Sequence, residues 1–242
     1  DTYTSPTSKT TGDIFGLFGY VGGVVEIVDL KVNLSAAIPN GMACAGLISN
    51  VNEGSKVTIK DVSIDGDLYA AREKAAGFIG CTNGNSTVTL INCINKMNIK
   101  SHERISGFIS QVNKTDSIAF INCQNEGKIE LVSDASLTKY GVAAGFISHV
   151  NGATISYDDK CVNKGMIKAP LAANYHTYAG AMLYKNGKWM GQDGNTSIET
   201  VILIKGVIYS ESAKSYAKAA EEYLGLHNAF DGILYDDNKD YS

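Results

Sequence analysis

The chain has 242 residues, 44% of them hydrophobic, and carries 21 basic against 25 acidic side chains for a net charge of -4. That length can bury a sizeable core within one all-β domain, and the lack of any Lys/Arg-dense run excludes a protein that tracks a phosphate backbone, so no nucleic-acid partner is expected. No apolar stretch approaches the roughly 18 to 20 residues needed to cross a bilayer, so no membrane insertion is expected of this chain. The opening DTYTSPTSKTTGD lacks the apolar core of a secretory signal, which says nothing against secretion. Turns must be made mostly by Gly, Asn and Asp, because three prolines accompany 25 glycines.

Residues 1–13 read as a lead segment, and from residue 14 to 210 the chain is built on a repeat. FGLFG begins at Phe15, AGLIS at Ala45, AGFIG at Ala76, SGFIS at Ser106 and AGFIS at Ala144. Their glycines, Gly16, Gly46, Gly77, Gly107 and Gly145, lie 30, 31, 30 and 38 residues apart, and AGAML offers a further copy at Gly180. Behind the glycines the same columns recur. Val62, Cys93, Cys123 and Cys161 form one, Ile64, Asn95, Asn125 and Asn163 a second, and Leu68, Ile99, Ile129 and Ile167 a third. Between them VTIKDV, VTLINC and IAFINC alternate apolar and polar residues as strands with one buried face should.

A unit of about 30 residues made of short strands cannot bury its own apolar face and must lean on its neighbours. The expected architecture is all-β: a right-handed parallel β-solenoid of about five to six coils. In it like residues stack about 4.8 Å apart, and the Asn column can form an amide ladder. The column Gly66, Gly127 and Gly165, broken by Met97, is expected to mark a corner of positive φ. A propeller, the alternative at this period, closes its first unit on its last. Here TVILIKGVIYS, ending at Ser210, is followed by SAKSYAKAAEEYLG, whose Ala, Lys, Glu and Leu predict a helix from Ser212 to Leu224 within a cap and tail over 211–242.

The phrases GLFGYVGG at Gly16, NCINKMNI and NCQNEGKI resemble the degenerate Gly-rich repeats, GLUG-like and Asn-Cys-x-Asn-x-Gly-x-Ile, of large surface proteins of gut bacteria and anaerobic protists. The resemblance spans roughly residues 16–167 and departs at Lys160, Val62 and Ile64. It implies a β-solenoid displayed outside the cell as a stalk or adhesin, with no shared catalytic residues.

Candidate chemistry is sparse. The Cys column predicts buried reduced thiols, with a disulfide as the alternative; neither CxxC spacing nor nearby His supports a metal site, and no cofactor is expected. SHERIS sets Glu103 and Arg104 beside His102, and Asp158 and Asp159 follow His149. A lyase or hydrolase on a β-helix needs acidic columns. Asp158 instead falls at the offset of Ile59, Leu90 and Phe120, so these charges read as loop residues and no catalytic residue is assigned. Four Asn-x-Ser/Thr triplets, at Asn33, Asn85, Asn113 and Asn195, match chance expectation for this composition. The aromatic departure over 173–194 holds Tyr175, Tyr178, Tyr184 and Trp189, the ligand-binding candidates, and KNGKW reads as a tight hairpin turn. Plugging of the last coil is the competing role for these aromatics.

These features together predict a non-enzymatic extracellular or cell-surface module serving as stalk, adhesin or scaffold. Its partners would be a host or matrix surface protein, a glycan, or another copy of itself. A carbohydrate-binding or carbohydrate-cleaving β-helix and a self-assembling filament subunit are the alternatives.

Overall fold

The structure, a computed structural model, describes residues 2–4, 13–132, 141–169, 177–180, 183–185, 188–190 and 208–210. Among the described residues there are strands and turns but no helix, and the strands wind into a parallel β-solenoid. Each turn contributes to four sheets. Sheet I stacks Asp13–Phe15, Gly41–Ala45, Lys74–Ala76, Arg104–Ser106, Gly141–Ala144 and Thr177–Gly180. Sheet II stacks Phe18–Val21, Ile48–Val51, Ile79–Thr82, Ile109–Val112, Ile147–Val150 and Leu183–Lys185, the last paired antiparallel with Lys188–Met190. Sheet III stacks Val24–Val28, Lys56–Lys60, Thr87–Ile91, Ser117–Ile121 and Thr154–Tyr157. Sheet IV begins with Lys31–Ile38 on Ser63–Ala70, which then pairs with two short strands per turn, Ile94–Asn95 and Asn98–Ser101 being the first. Five strands in sheet III are four steps, so the described chain makes about four turns. The expected five to six coils and the helix over 212–224 fall partly or wholly outside the described residues.

Register explains the repeat. Leu90 pairs with Ile59 below and Phe120 above, and Asn95 with Ile64 and Asn125, so matching positions sit on one another. Inside, Phe78, Phe108 and Phe146 stack at ring separations of 4.9 and 4.7 Å. Phe120 and Tyr157 form a second stack at 4.9 Å, and the two columns meet edge to face. All five Phe and Tyr rings lie within the core or against it. At the lower end the first turn leaves Leu17, Tyr20 and Val24 exposed, Val24 by 86%. Thr2–Thr4, from the lead segment, pairs in parallel with Ser35–Ala37 in the place of a still lower sheet IV strand.

The Asn column forms the expected ladder. Asn95 donates to Asn125 Oδ1 at 2.7 Å and Asn125 to Asn163 Oδ1 at 2.6 Å, while each amide also donates to a carbonyl two residues on. All three residues are fully buried. The motif glycines face this ladder. A Cβ added at Gly77 would stand 2.2 Å from Asn95 Oδ1, and one at Gly107 2.3 Å from Asn125 Oδ1. Gly46, one turn lower, faces Ile64 instead of an amide.

The other glycine column needs a correction. Gly66 has φ 108°, but Gly127 and Gly165 do not share that positive φ. They are required because an added Cβ would lie 2.0 Å from the carbonyl oxygen of Met97 or Gly127 in the turn below. Positive φ instead recurs from coil to coil at a different corner, at Asp29, Asp61, Asn92 and Asn122, with φ between 50° and 55°. The Asn of each INC phrase is therefore a left-handed corner residue, which Asn and Asp tolerate. Asn122 donates to Asn92 Oδ1 and Asn92 to Asp61 Oδ1, both at 2.8 Å, so an exposed ladder climbs this corner as well.

The two ladders predict unequal costs. Asn125→Ala strands two buried amide partners and is expected to destabilise the chain by about 3 kcal/mol. Asn122→Gly keeps the left-handed corner, removes only solvated bonds, and is expected to cost under about 1 kcal/mol. Chemical denaturation of both variants measures the contrast.

Candidate functional site

Sheets I and II are joined by the five-residue phrase itself, and the bend between them is tight. The small residue closing the phrase points back at sheet I: Ser49 Oγ donates to Ala43 O at 2.7 Å, and Ser110 Oγ to Arg104 O at 2.9 Å. Ser148 Oγ donates to Ser110 O at 2.7 Å. At the equivalent Gly80 an added Cβ would stand 2.7 Å from Ser49 O. At Gly80 a side chain would clash, and at the other rungs the Ser hydroxyls are spent on backbone carbonyls.

The angle opens into a groove along the stack. One wall is the sheet I column Ala43, Lys74, Arg104 and Val142; the other is the sheet II column Asn50, Cys81, Gln111 and His149. Arg104 and Gln111 meet across it, Nη1 donating to Oε1 at 2.7 Å, and the Gln111 amide donates to Asn113 Oδ1 at 2.9 Å. Lys74 is tied to Glu73 at 2.9 Å. Burial, followed by the nearby Arg104 and Lys74 cations, holds the His149 imidazole down at about 4, so it is neutral near pH 7. The groove therefore presents the Arg104 cation, with Lys74 paired to Glu73, beside a neutral imidazole.

The aromatic candidates fall at the upper end of these walls. Tyr178 pairs with Val142, next in the Lys74–Arg104 column, while Tyr184 and Trp189 are directly opposed in the antiparallel pair. That pairing matches the predicted hairpin. Tyr175 lies outside the described residues, as do Asn195, His176 and His227.

Other charged candidates are used structurally. His102 Nδ1 donates to Val132 O at 3.1 Å and Nε2 accepts from the Tyr69 hydroxyl at 3.1 Å, so both ring nitrogens are engaged, away from the groove. Sequence adjacency had grouped His102 with Arg104; the strand sends them to different surroundings. Asp158 also moves: Tyr157, not Asp158, pairs with Phe120, because the turn before this strand is one residue shorter and the corner after it one longer than in the preceding coil. The Asp158 carboxylate accepts from the Asn122 backbone at 2.9 and 3.0 Å, standing where the next coil's carbonyl stands at lower corners. Buried Asp116 accepts from the Thr82 hydroxyl and from the Ser86 and Asn113 amides, at 2.9 and 2.8 Å for the latter two. Among the sequon asparagines, Asn33 and Asn85 are exposed, and Asn113 donates to Thr82 O.

All five cysteines are free and buried. Burial, with Asp13 nearby, pushes the Cys44 thiol up to about 12, and burial raises Cys81. Cys123 is raised through its hydrogen bonds to Cys161 and Cys93 and by burial. Among the described residues no three His, Cys, Asp or Glu side chains gather as a metal site, and no helix is long and apolar enough to cross a membrane.

The groove walls were the part missed from sequence. Their signal was present: Lys74 and Arg104 each stand two residues before the small residue of the phrase, and Gln111 and His149 each stand four after its glycine. Compared with protein families, curated proteins and solved structures, the chain matches none.

Two outcomes follow from this chemistry. His149 binds a proton more weakly folded than unfolded, so it contributes stability above its ordinary value of 6.5 that is lost as pH falls to about 4. His149→Gln is expected to flatten the fall in melting temperature between pH 7 and pH 4 relative to the parent chain. The thiols are expected to stay unreactive toward a disulfide reagent at pH 8 until denaturant unfolds the chain, read by absorbance of the released thiolate.

Proposed function

We propose that the chain is a non-enzymatic module of an extracellular or cell-surface protein, acting as stalk, adhesin or scaffold. In this reading it is right-handed, reaches five to six coils, belongs with the GLUG-like repeat proteins it resembles, and is closed by the helix over 212–224. The observation that carries it is how the polar side chains of the stack are spent. Buried Asn95, Asn125 and Asn163 bond one another, and Asp116 and Asp158 are taken up by backbone amides, so these side chains serve the rod rather than a reaction. A rod with its chemistry turned inward presents surface, and surface is what an adhesin or scaffold uses.

One observation favours carbohydrate recognition as the second reading. The groove between sheets I and II carries Arg104, Gln111 and His149, and its columns run toward the positions of Tyr178, Tyr184 and Trp189. Planar donors and aromatic faces are the usual means of holding a sugar ring. Host or matrix proteins and glycans are the partners in either reading.

A screen of the purified chain against glycans and matrix proteins tests both, alongside a Tyr178→Ala/Trp189→Ala variant checked for folding by circular dichroism. Binding of a matrix protein or glycan without turnover is the expected result, reduced about tenfold or more in the variant if the aromatics make the contact. Release of reducing ends from any polysaccharide would overturn the non-enzymatic assignment.

A further inference from the structure

The groove between sheets I and II is bridged by one side-chain contact, Arg104 to Gln111. Lys74, Arg104, Gln111 and His149 are all half-buried, while the next residue of each strand, Ala75, Ile105, Val112 and Val150, belongs to the core. Arg104 is the unusual member. Its guanidinium bonds the neutral Gln111 amide, and among the described residues no carboxylate pairs with it. Most of its five N–H donors thus remain to be offered, in a fork that matches a carboxylate or a sulfate. A half-buried cation with only a neutral partner is costly to keep unless something anionic visits it.

The neighbours narrow the ligand. Lys74, one rung below, is neutralised by Glu73, and the Ser49 and Ser110 hydroxyls on the floor are occupied by backbone carbonyls. The groove therefore offers one concentrated anion contact rather than a track of charges, which disfavours a polyphosphate backbone. His149, neutral near pH 7, adds one donor and one acceptor, the pattern that suits hydroxyl groups. Two rungs above Arg104 in its own column stands Tyr178, with rungs spaced about 4.8 Å apart. An anion at one rung, hydroxyls beside it and an aromatic position farther along make a sequence that a linear acidic sugar chain can follow.

We propose that the sheet I–sheet II groove binds an acidic saccharide, with Arg104 receiving its carboxylate or sulfate and Gln111 and His149 meeting neighbouring hydroxyls. The assignment rests on the carbohydrate-recognition reading above and adds the ligand class and the anion contact.

Calorimetric titration of the full chain separates the cases, using hexagalacturonate, its methyl ester, a heparin hexasaccharide, a neutral hexasaccharide and a hexaglutamate peptide as probes. Hexagalacturonate or the heparin fragment is expected to bind while the methyl ester does not, the first indicating a carboxylate and the second a sulfate. Arg104→Gln is expected to weaken that binding about tenfold or more, and Lys60→Gln, on sheet III, to leave it within about twofold. If Arg104→Gln fails to fold by circular dichroism, Arg104→Lys carries the test, since it keeps the charge and loses the fork. Unchanged affinity in the Arg104 variant, or hexaglutamate binding as tightly as the sugars, would overturn the proposal. Binding of the neutral sugar alone sinks this assignment and spares the carbohydrate reading; no binding by any sugar sinks both.

Discussion

The contact between the motif glycine and the asparagine amide of the same turn sets the cross-section of this solenoid. At Gly77 and Gly107 the missing side chain leaves room for Asn95 and Asn125, whose Oδ1 atoms would be only 2.2 and 2.3 Å from an added Cβ. The same glycines bond along the stack, Gly77 N donating to Gly107 O at 3.1 Å. One position thus fixes two distances, across the turn to the ladder and upward to the next coil. Phe78, Phe108 and Phe146 follow directly, since the residue after each glycine has one place to go and one neighbour to stack on. An isolated unit would leave every one of these groups unpaired, which is why the repeat only makes sense in series.

Amides are used twice, under different conditions. The inner ladder is dry, so each amide must find its partner on the adjacent coil or lose the hydrogen bonds water would have given. The outer one, through Asp61, Asn92 and Asn122, is wet, and its residues are there first for their left-handed backbone. Where the series stops, the substitution is informative. Lys160 does not continue the corner, and Asp158 reaches back to give the Asn122 amide its acceptor. A carboxylate that looks in isolation like an acid or base is here the replacement for a missing carbonyl.

Much of the fold was legible because stacking writes the same residue at the same spacing. Asn95, Asn125 and Asn163 announced a ladder through identity alone, and the five-residue phrase announced the repeat and its period. Two things were harder to read. The corner glycines 127 and 165 look like Gly66, yet their need is close approach to a carbonyl, and only geometry separates that from a positive φ. The groove was obscured because its walls meet in space across a bend, Arg104 and Gln111 being seven residues apart on two strands. A two-residue strand period cannot show that outward positions on successive strands turn toward each other. Adjacency pointed instead to His102, whose ring is committed to Tyr69 and Val132.

A division of labour between columns accounts for both outcomes. Columns that face the core stay apolar or carry the self-pairing amide, because each side chain packs on its own counterpart: the three phenylalanines after the glycines form one such series and the cysteines another. The groove columns have no such obligation, and they change at every rung. Ala43, Lys74, Arg104 and Val142 share one wall, and Asn50, Cys81, Gln111 and His149 share the other. Residues that repeat therefore report on how the rod is held together. Residues that differ at a half-buried, repeat-aligned position are free of that duty, and in a stack this regular they are where a recognition site can be written without cost to the fold. Arg104 meets that description most fully, being aligned by register, shielded by two sheets, and paired only with a neutral amide.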